Sequence, residues 1–148
     1  MLAWGILFGL PGVPCVFYGD EAGLEGYRDP FCRRPFPWSR IDGELLSFYR
    51  TVGTIRRDEP VFRGGRFRVL SLTESAFVFV REPWRDECAA VLVAAARKGS
   101  LRLRSPCPVQ SLTDGKRGAD FLLGETEVGY YRLPVETDPG DADLEERI

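Results

Sequence analysis

Pro60 separates two stretches whose apolar residues recur with different periods, and this single switch constrains the fold more than any other feature. Upstream, Glu44–Arg57 places Leu45, Phe48, Tyr49, Val52 and Ile55 on one helical stripe. Downstream, short runs rich in β-branched and aromatic residues follow one another: Phe67–Leu72, Phe77–Arg81, Ala90–Ala95, Leu101–Leu103, Val109–Leu112 and Tyr130–Val135. Gly64-Gly65, Thr73–Ser75, Lys98–Ser100 and Asp114-Gly115 supply the turns between them. One helical stretch followed by one run of strands predicts an α+β chain whose second part, residues 59–136, is a small antiparallel β-sandwich. The acidic segment 137–148 reads as a frayed tail.

Within residues 1–58 the elements are few. Leu2–Leu10 reads as a short apolar helix stopped by Pro11-Gly12. Val13–Tyr18 is apolar on both faces, the pattern of a parallel strand covered on both sides. Gly19 ends it and opens a polar loop running to Arg40, about twenty residues, a length that usually signals function. Asp42 is placed to cap the helix that follows, with Arg56 and Arg57 at its negative end. One strand and two helices close neither a barrel nor a doubly wound sheet, so this part reads as the last βα step of something larger. The opening segment Met1–Pro14 lacks a basic residue before its apolar stretch and is interrupted by Gly5, Gly9, Pro11, Gly12 and Pro14. It predicts a buried helix rather than a signal peptide or a membrane span.

Composition narrows the chemistry. Lys and Arg total 20 against 22 Asp and Glu, which gives no electrostatic reason for a nucleic-acid or anionic-membrane partner. Histidine is absent, removing the commonest general base and zinc ligand together. No metal constellation or phosphate loop is present, and no cofactor is expected. Cys15, Cys32, Cys88 and Cys107 have no CxxC spacing and predict reduced, mostly buried thiols in a cytoplasmic protein. In the sheet half, Trp84 sits in a polar hairpin tip and reads either as a loop anchor or as a carbohydrate platform. Tyr130 and Tyr131 are expected to alternate between core and surface.

The stretch LPGVPCVFYGDEAGLEGYRDPFCRRPFPW, Leu10–Trp38, resembles a signature of the α-amylase superfamily, glycoside hydrolase family thirteen. The resemblance is strongest to its neopullulanase, cyclomaltodextrinase and maltogenic amylase group. It is carried by Pro11, Gly12, Pro14, Phe17, Tyr18, Gly19, Asp20, Glu21 and Gly23, then by Asp29, Pro30, Arg33, Arg34, Pro35, Phe36, Pro37 and Trp38. It continues through the helix Glu44–Arg57 and the run from Arg63 to Glu82. It implies the last βα unit of a (β/α)8 barrel followed by a C-terminal β-sandwich. Leu2–Leu10 would then end the seventh helix, Val13–Tyr18 would be the eighth strand, and Glu44–Arg57 the eighth helix. The loop Gly19–Arg40 would lie at the C-terminal face of that barrel, where such sites are built.

The resemblance also implies retaining cleavage of α-1,4 or α-1,6 glucosidic bonds, which needs two carboxyl groups flanking the bond. In the family these come from earlier strands, so the chain is expected to be a C-terminal fragment that is inactive alone. Asp20 and Glu21 are adjacent at a strand end and diverge, so they are expected to order the loop through backbone amides and arginines rather than to catalyse. Arg34 is likewise expected to be structural. The resemblance makes Asp29 and Arg33 contacts to a glucose, while the residues themselves equally permit an intra-loop salt bridge. Phe36 and Trp38 stay open between packing and sugar stacking, with Trp38 a candidate sugar contact. The expected partner is an α-glucan oligosaccharide, and the apolar Leu2–Tyr18 segment raises self-association. The alternative is a stand-alone, non-catalytic β-sandwich that binds glucan or a partner protein.

Overall fold

The computed structural model describes residues 1–85 and 88–147. Three helices lie on one face of a seven-stranded antiparallel sheet. Helix α1, Leu2–Gly9, is apolar all round, as expected of a helix with neighbours on more than one side. Its glycines are not interruptions but points of close approach. A Cβ on Gly9 would lie 2.7 Å from the Phe79 ring, and one on Gly5 would overlap Val128. Helix α2, Gly43–Asp58, begins where the Asp42 carboxylate accepts the Leu45 amide at 2.9 Å. It buries Tyr49, Val52 and Ile55, three residues of the predicted stripe. Trp4 and Phe8 of α1 pack against Tyr49 with ring centroids 5.4 and 6.3 Å apart. A single turn, α3 (Val61–Gly64), leads into the sheet.

The strands are β1 (Arg66–Leu72), β2 (Ala76–Glu82), β3 (Val91–Ala96), β4 (Ser100–Ser111), β5 (Arg117–Leu123), β6 (Val128–Arg132) and β7 (Asp143–Arg147). Their order is β1-β2-β3-β6-β4-β5, with β7 paired to β4. The long β4 organises this topology. One edge holds β5, and the other is shared, with β7 along Ser100–Arg104 and β6 at Gln110 and Ser111.

Two apolar clusters result. One gathers inward residues of the sheet, including Val78, Val80, Leu92, Ala94, Leu101, Leu103, Val109 and Tyr131. The other joins Phe79, Val91, Val93 and Tyr130 to Phe8, Val52, Ile55 and Phe62 of the helices. Strand β3 separates the two and is buried at all its residues, which accounts for its uninterrupted VLVAAA sequence.

The structure departs from the sequence-based expectations in five places. Val13–Tyr18 forms no strand; no neighbouring strand is present among the described residues to complete its ladder, and Val13 is 94 % exposed. The predicted Leu101–Leu103 and Val109–Leu112 runs are one strand rather than two, because β4 runs continuously through both halves of the open, connected sheet. Strand β5 was not expected, since Gly118 and Asp120 break its pattern; pairing with β4 supplies what propensity lacks. The tail is not frayed, for β7 pairs with β4 and Glu146 accepts hydrogen bonds from Thr73 and Ser75; Ile148 lies outside the described residues. Tyr130 and Tyr131 are both buried, because β6 is covered by helices on one face and by sheet residues on the other.

Candidate functional site

The loop between Gly19 and Arg40 is built from two tight turns. Gly19 and Gly23 take φ values of +85° and +74° and bracket the 3₁₀ turn Asp20–Ala22, a backbone geometry glycine adopts without steric cost. The amides of Ala22 and Leu24 both donate to the Gly19 carbonyl, at 3.0 and 2.9 Å. The Asp42 amide donates to the Ala22 carbonyl at 3.2 Å, tying this turn to the start of α2. The second 3₁₀ turn, Phe31–Arg33, closes through the Arg33 amide on the Pro30 carbonyl at 3.1 Å, and the Phe31 amide donates to the Arg28 carbonyl at 2.9 Å just before it.

That second turn brings Asp29 and Arg33 together. Nε of Arg33 lies 3.0 Å from Oδ1 of Asp29, and Nη2 donates to Oδ2 at 3.3 Å. The pair therefore meets at two points, one hydrogen bond and one close contact between charged atoms, as a two-point fork. The Arg33 and Asp29 side chains are 78 % and 63 % exposed. Each keeps unused hydrogen-bonding capacity pointing to solvent, since a guanidinium has five N–H groups and a carboxylate about four acceptor positions. An ion pair this exposed adds only about 0–1 kcal/mol to stability, so holding the loop does not exhaust what it can do. Chemically, the fork offers adjacent donors and acceptors to a ligand carrying neighbouring hydroxyls.

Trp38 is placed differently. Phe36 packs between Tyr18 and Trp38, with centroids 5.9 and 4.6 Å away. The Tyr18 hydroxyl donates to the Arg34 carbonyl at 3.1 Å, so Arg34 shapes the loop through its main chain. Trp38 is 81 % exposed at the end of this aromatic row. Among the described residues no hydrogen bond or ring contact joins Trp38 to Asp29 or Arg33. Tyr18 is the residue that sequence reading undervalued: counted into a buried strand, it is half exposed and pins the loop by its hydroxyl. Its place at the polar end of an apolar run was the available signal.

Asp20 and Glu21 lie under the loop beside Tyr49. Their side chains make no hydrogen bond or ion pair to an arginine or a backbone amide among the described residues, and the turn is held by main-chain bonds instead. Their charges act on Tyr49, whose phenol is pushed up to about 12 by burial first and then by Asp20 and Glu21. Glu21 Oε2 and the Tyr49 hydroxyl are both buried without a hydrogen-bond partner. Cys15 and Cys32 are exposed and Cys88 and Cys107 half-buried, so the thiols are less buried than the sequence suggested. Among the described residues no group of three potential metal ligands occurs, and no helix is long and apolar enough to cross a membrane.

Comparison with known proteins places this loop and sheet together. No protein-family model matches the chain. Amylopullulanase of Thermoanaerobacter thermohydrosulfuricus is 33 % identical over 135 residues, which is 84 % of this chain and 9 % of that protein. The chain is related to the C-terminal part of α-amylase-superfamily glycoside hydrolases. Neopullulanase 2 of Thermoactinomyces vulgaris is 30 % identical over 118 residues, 77 % of this chain and 19 % of that protein. The superfamily fold extends to a solved structure of a cyclic α-maltosyl-(1→6)-maltose hydrolase from Arthrobacter globiformis in complex with that cyclic sugar. It superposes with a TM-score of 0.70 at 28 % identity, over 89 % of this chain and 29 % of that one. The chain thus spans less than a third of the relatives it matches.

Proposed function

We propose that this chain forms the C-terminal portion of an α-glucan hydrolase. It contributes one substrate loop and the sheet domain, while the carboxylates that cleave the glucosidic bond lie outside it. The observation that carries this reading is the exposed Asp29–Arg33 fork, presented on a loop whose sequence resembles the superfamily signature. The fork bridges neighbouring sugar hydroxyls, and Trp38 offers an apolar face to a ring on the same loop. A cytoplasmic setting fits the exposed thiols of Cys15 and Cys32, which a reducing compartment preserves.

Incubating the chain with cyclodextrin, pullulan and soluble starch tests the first half of the proposal. No reducing ends are expected, and turnover would show that the chain holds its own catalytic groups. Calorimetric titration with maltotriose tests the second half, where weak, saturable binding that is further weakened in Asp29→Ala is expected. The second reading, a stand-alone glucan-binding domain, draws on the sheet's self-contained core. Self-association through Val13–Tyr18 draws on the exposure of Val13, Phe17 and Tyr18. A monodisperse monomer on light scattering would remove it.

A further inference from the structure

Beyond β2 the chain turns at Pro83 and presents Trp84. Its indole is 73 % exposed yet firmly held. Nε1 donates to the Gly64 carbonyl at 2.5 Å, and the Arg66 guanidinium lies over the ring, 5.8 Å from its centroid. An exposed aromatic side chain fixed in this way has little rotamer freedom left to lose on binding. The ring lines a depression of about 390 Å³ together with Pro60, Gly64, Gly65, Pro83 and Arg85. That volume falls within the roughly 300–1,000 Å³ usual for small-ligand sites.

Gly65 is required by close backbone packing, and Gly64 leaves open space at the edge of the depression. A Cβ on Gly65 would lie 2.6 Å from the Val61 carbonyl and 2.7 Å from that of Glu82, so no side chain is admitted there. At Gly64 nothing lies within 4 Å of a Cβ position, so the space above it is open. The lining therefore combines a flat apolar face, two proline rings and a guanidinium. A hexopyranose fits such a lining: its C–H face stacks on the indole while its hydroxyl oxygens accept from Arg85.

We infer that Trp84 is the stacking platform of a carbohydrate site on the sheet domain, taking a glucose unit of an α-glucan chain. The choice of glucan rests on the reading given under Proposed function. The site itself lies apart in sequence from the Asp29–Trp38 loop, so the two are separable by experiment. The chain has three tryptophans, Trp4, Trp38 and Trp84, each giving one indole N–H signal in a ¹⁵N correlation spectrum. Trp84→Phe assigns the signal of interest, and the full chain is titrated with maltotriose.

The expected result is a saturable shift of the Trp84 signal at millimolar sugar. In Trp84→Ala, calorimetric heat attributable to this site disappears while the fold, read from the remaining spectrum, is retained. A Trp84 signal that stays still while Trp38 moves overturns this site and leaves the loop reading standing. Movement of Trp84 with Trp38 still supports this site and counts against Trp38 as a loop contact. If neither moves, this site is overturned, and the Asp29→Ala titration decides the loop reading on its own.

Discussion

Arg56 and Arg81 both lie over the ring of Phe62, 5.9 and 5.7 Å from its centroid, and both direct their N–H groups to main-chain carbonyls at the end of α1. Arg56 reaches Phe8, Leu10 and Gly12; Arg81 reaches Gly9, Gly65 and Arg66. A helix leaves its last carbonyls without internal partners. Here two cations from α2 and β2 satisfy them and bind the helical part to the sheet. Burial, and the nearness of Arg56, pull the Arg81 guanidinium below its ordinary value. Carbonyl dipoles rather than a carboxylate compensate it.

Replacing Arg81 by Leu should therefore be costly. Three carbonyls would lose a charged donor inside the protein, and a loss of about 3 kcal/mol is expected from the price of unsatisfied buried acceptors. Arg81→Lys should recover only part, because one ammonium does not reproduce a rigid fork. Urea unfolding of the two variants measures this; equal midpoints for Leu and wild type would contradict it.

Glycine positions give a contrast. Gly5→Ala puts a methyl group into Val128 and is expected to destabilise by about 1–3 kcal/mol through overpacking. Gly43→Ala, in the first turn of α2, meets nothing within 4 Å and should be neutral or stabilising by about 0.4–1 kcal/mol. Thermal unfolding of both variants tests the difference in sign.

At the loop, Asp29→Ala and Arg33→Ala should each weaken maltotriose binding about tenfold while changing stability by less than about 1 kcal/mol, as suits an exposed pair. Because the two act as one fork, the double variant should bind no worse than either single variant. Calorimetry and urea unfolding separate the two effects. A stability loss without a binding loss would assign the pair to loop structure alone.

Asp114 gives a pH signature. Hydrogen bonds from the Ser111 and Lys116 side chains hold its carboxyl at about 2, below the usual 3.8. The folded state thus favours the ionised form more than the unfolded chain does. The resulting stability is complete above the unfolded value near 3.8 and is lost as pH falls through about 2. Asp114→Asn should flatten the stability curve between those values. A carboxyl ¹³C titration of Asp114 with its midpoint near 4 would contradict the assignment.

Local signals were enough for much of the fold. The Asp42 cap and the Tyr49, Val52 and Ile55 stripe place α2 within a residue at each end, because capping and a 3.6 period are properties of adjacent turns. Runs of β-branched residues placed β1, β2 and β3 for the same reason. In the site, the spacing of Asp29 and Arg33 suggested a pair, and one 3₁₀ turn brings them together. The aromatic row of Tyr18, Phe36 and Trp38 was not legible, since it depends on how the end of one segment returns over another.

By itself the sequence determined α1 and α2, the change of character at Pro60 and the loop that resembles the superfamily signature. Only the tertiary structure decided that Arg117–Leu123 and Asp143–Arg147 are strands, that β6 is buried on both faces, and that Val13–Tyr18 is not a strand in this chain. The reason is the same in each case. A helix closes its hydrogen bonds within one segment, whereas a strand exists only beside a neighbour supplied from elsewhere. β4 provides that neighbour for β5 and β7, and no described residue provides it for Val13–Tyr18.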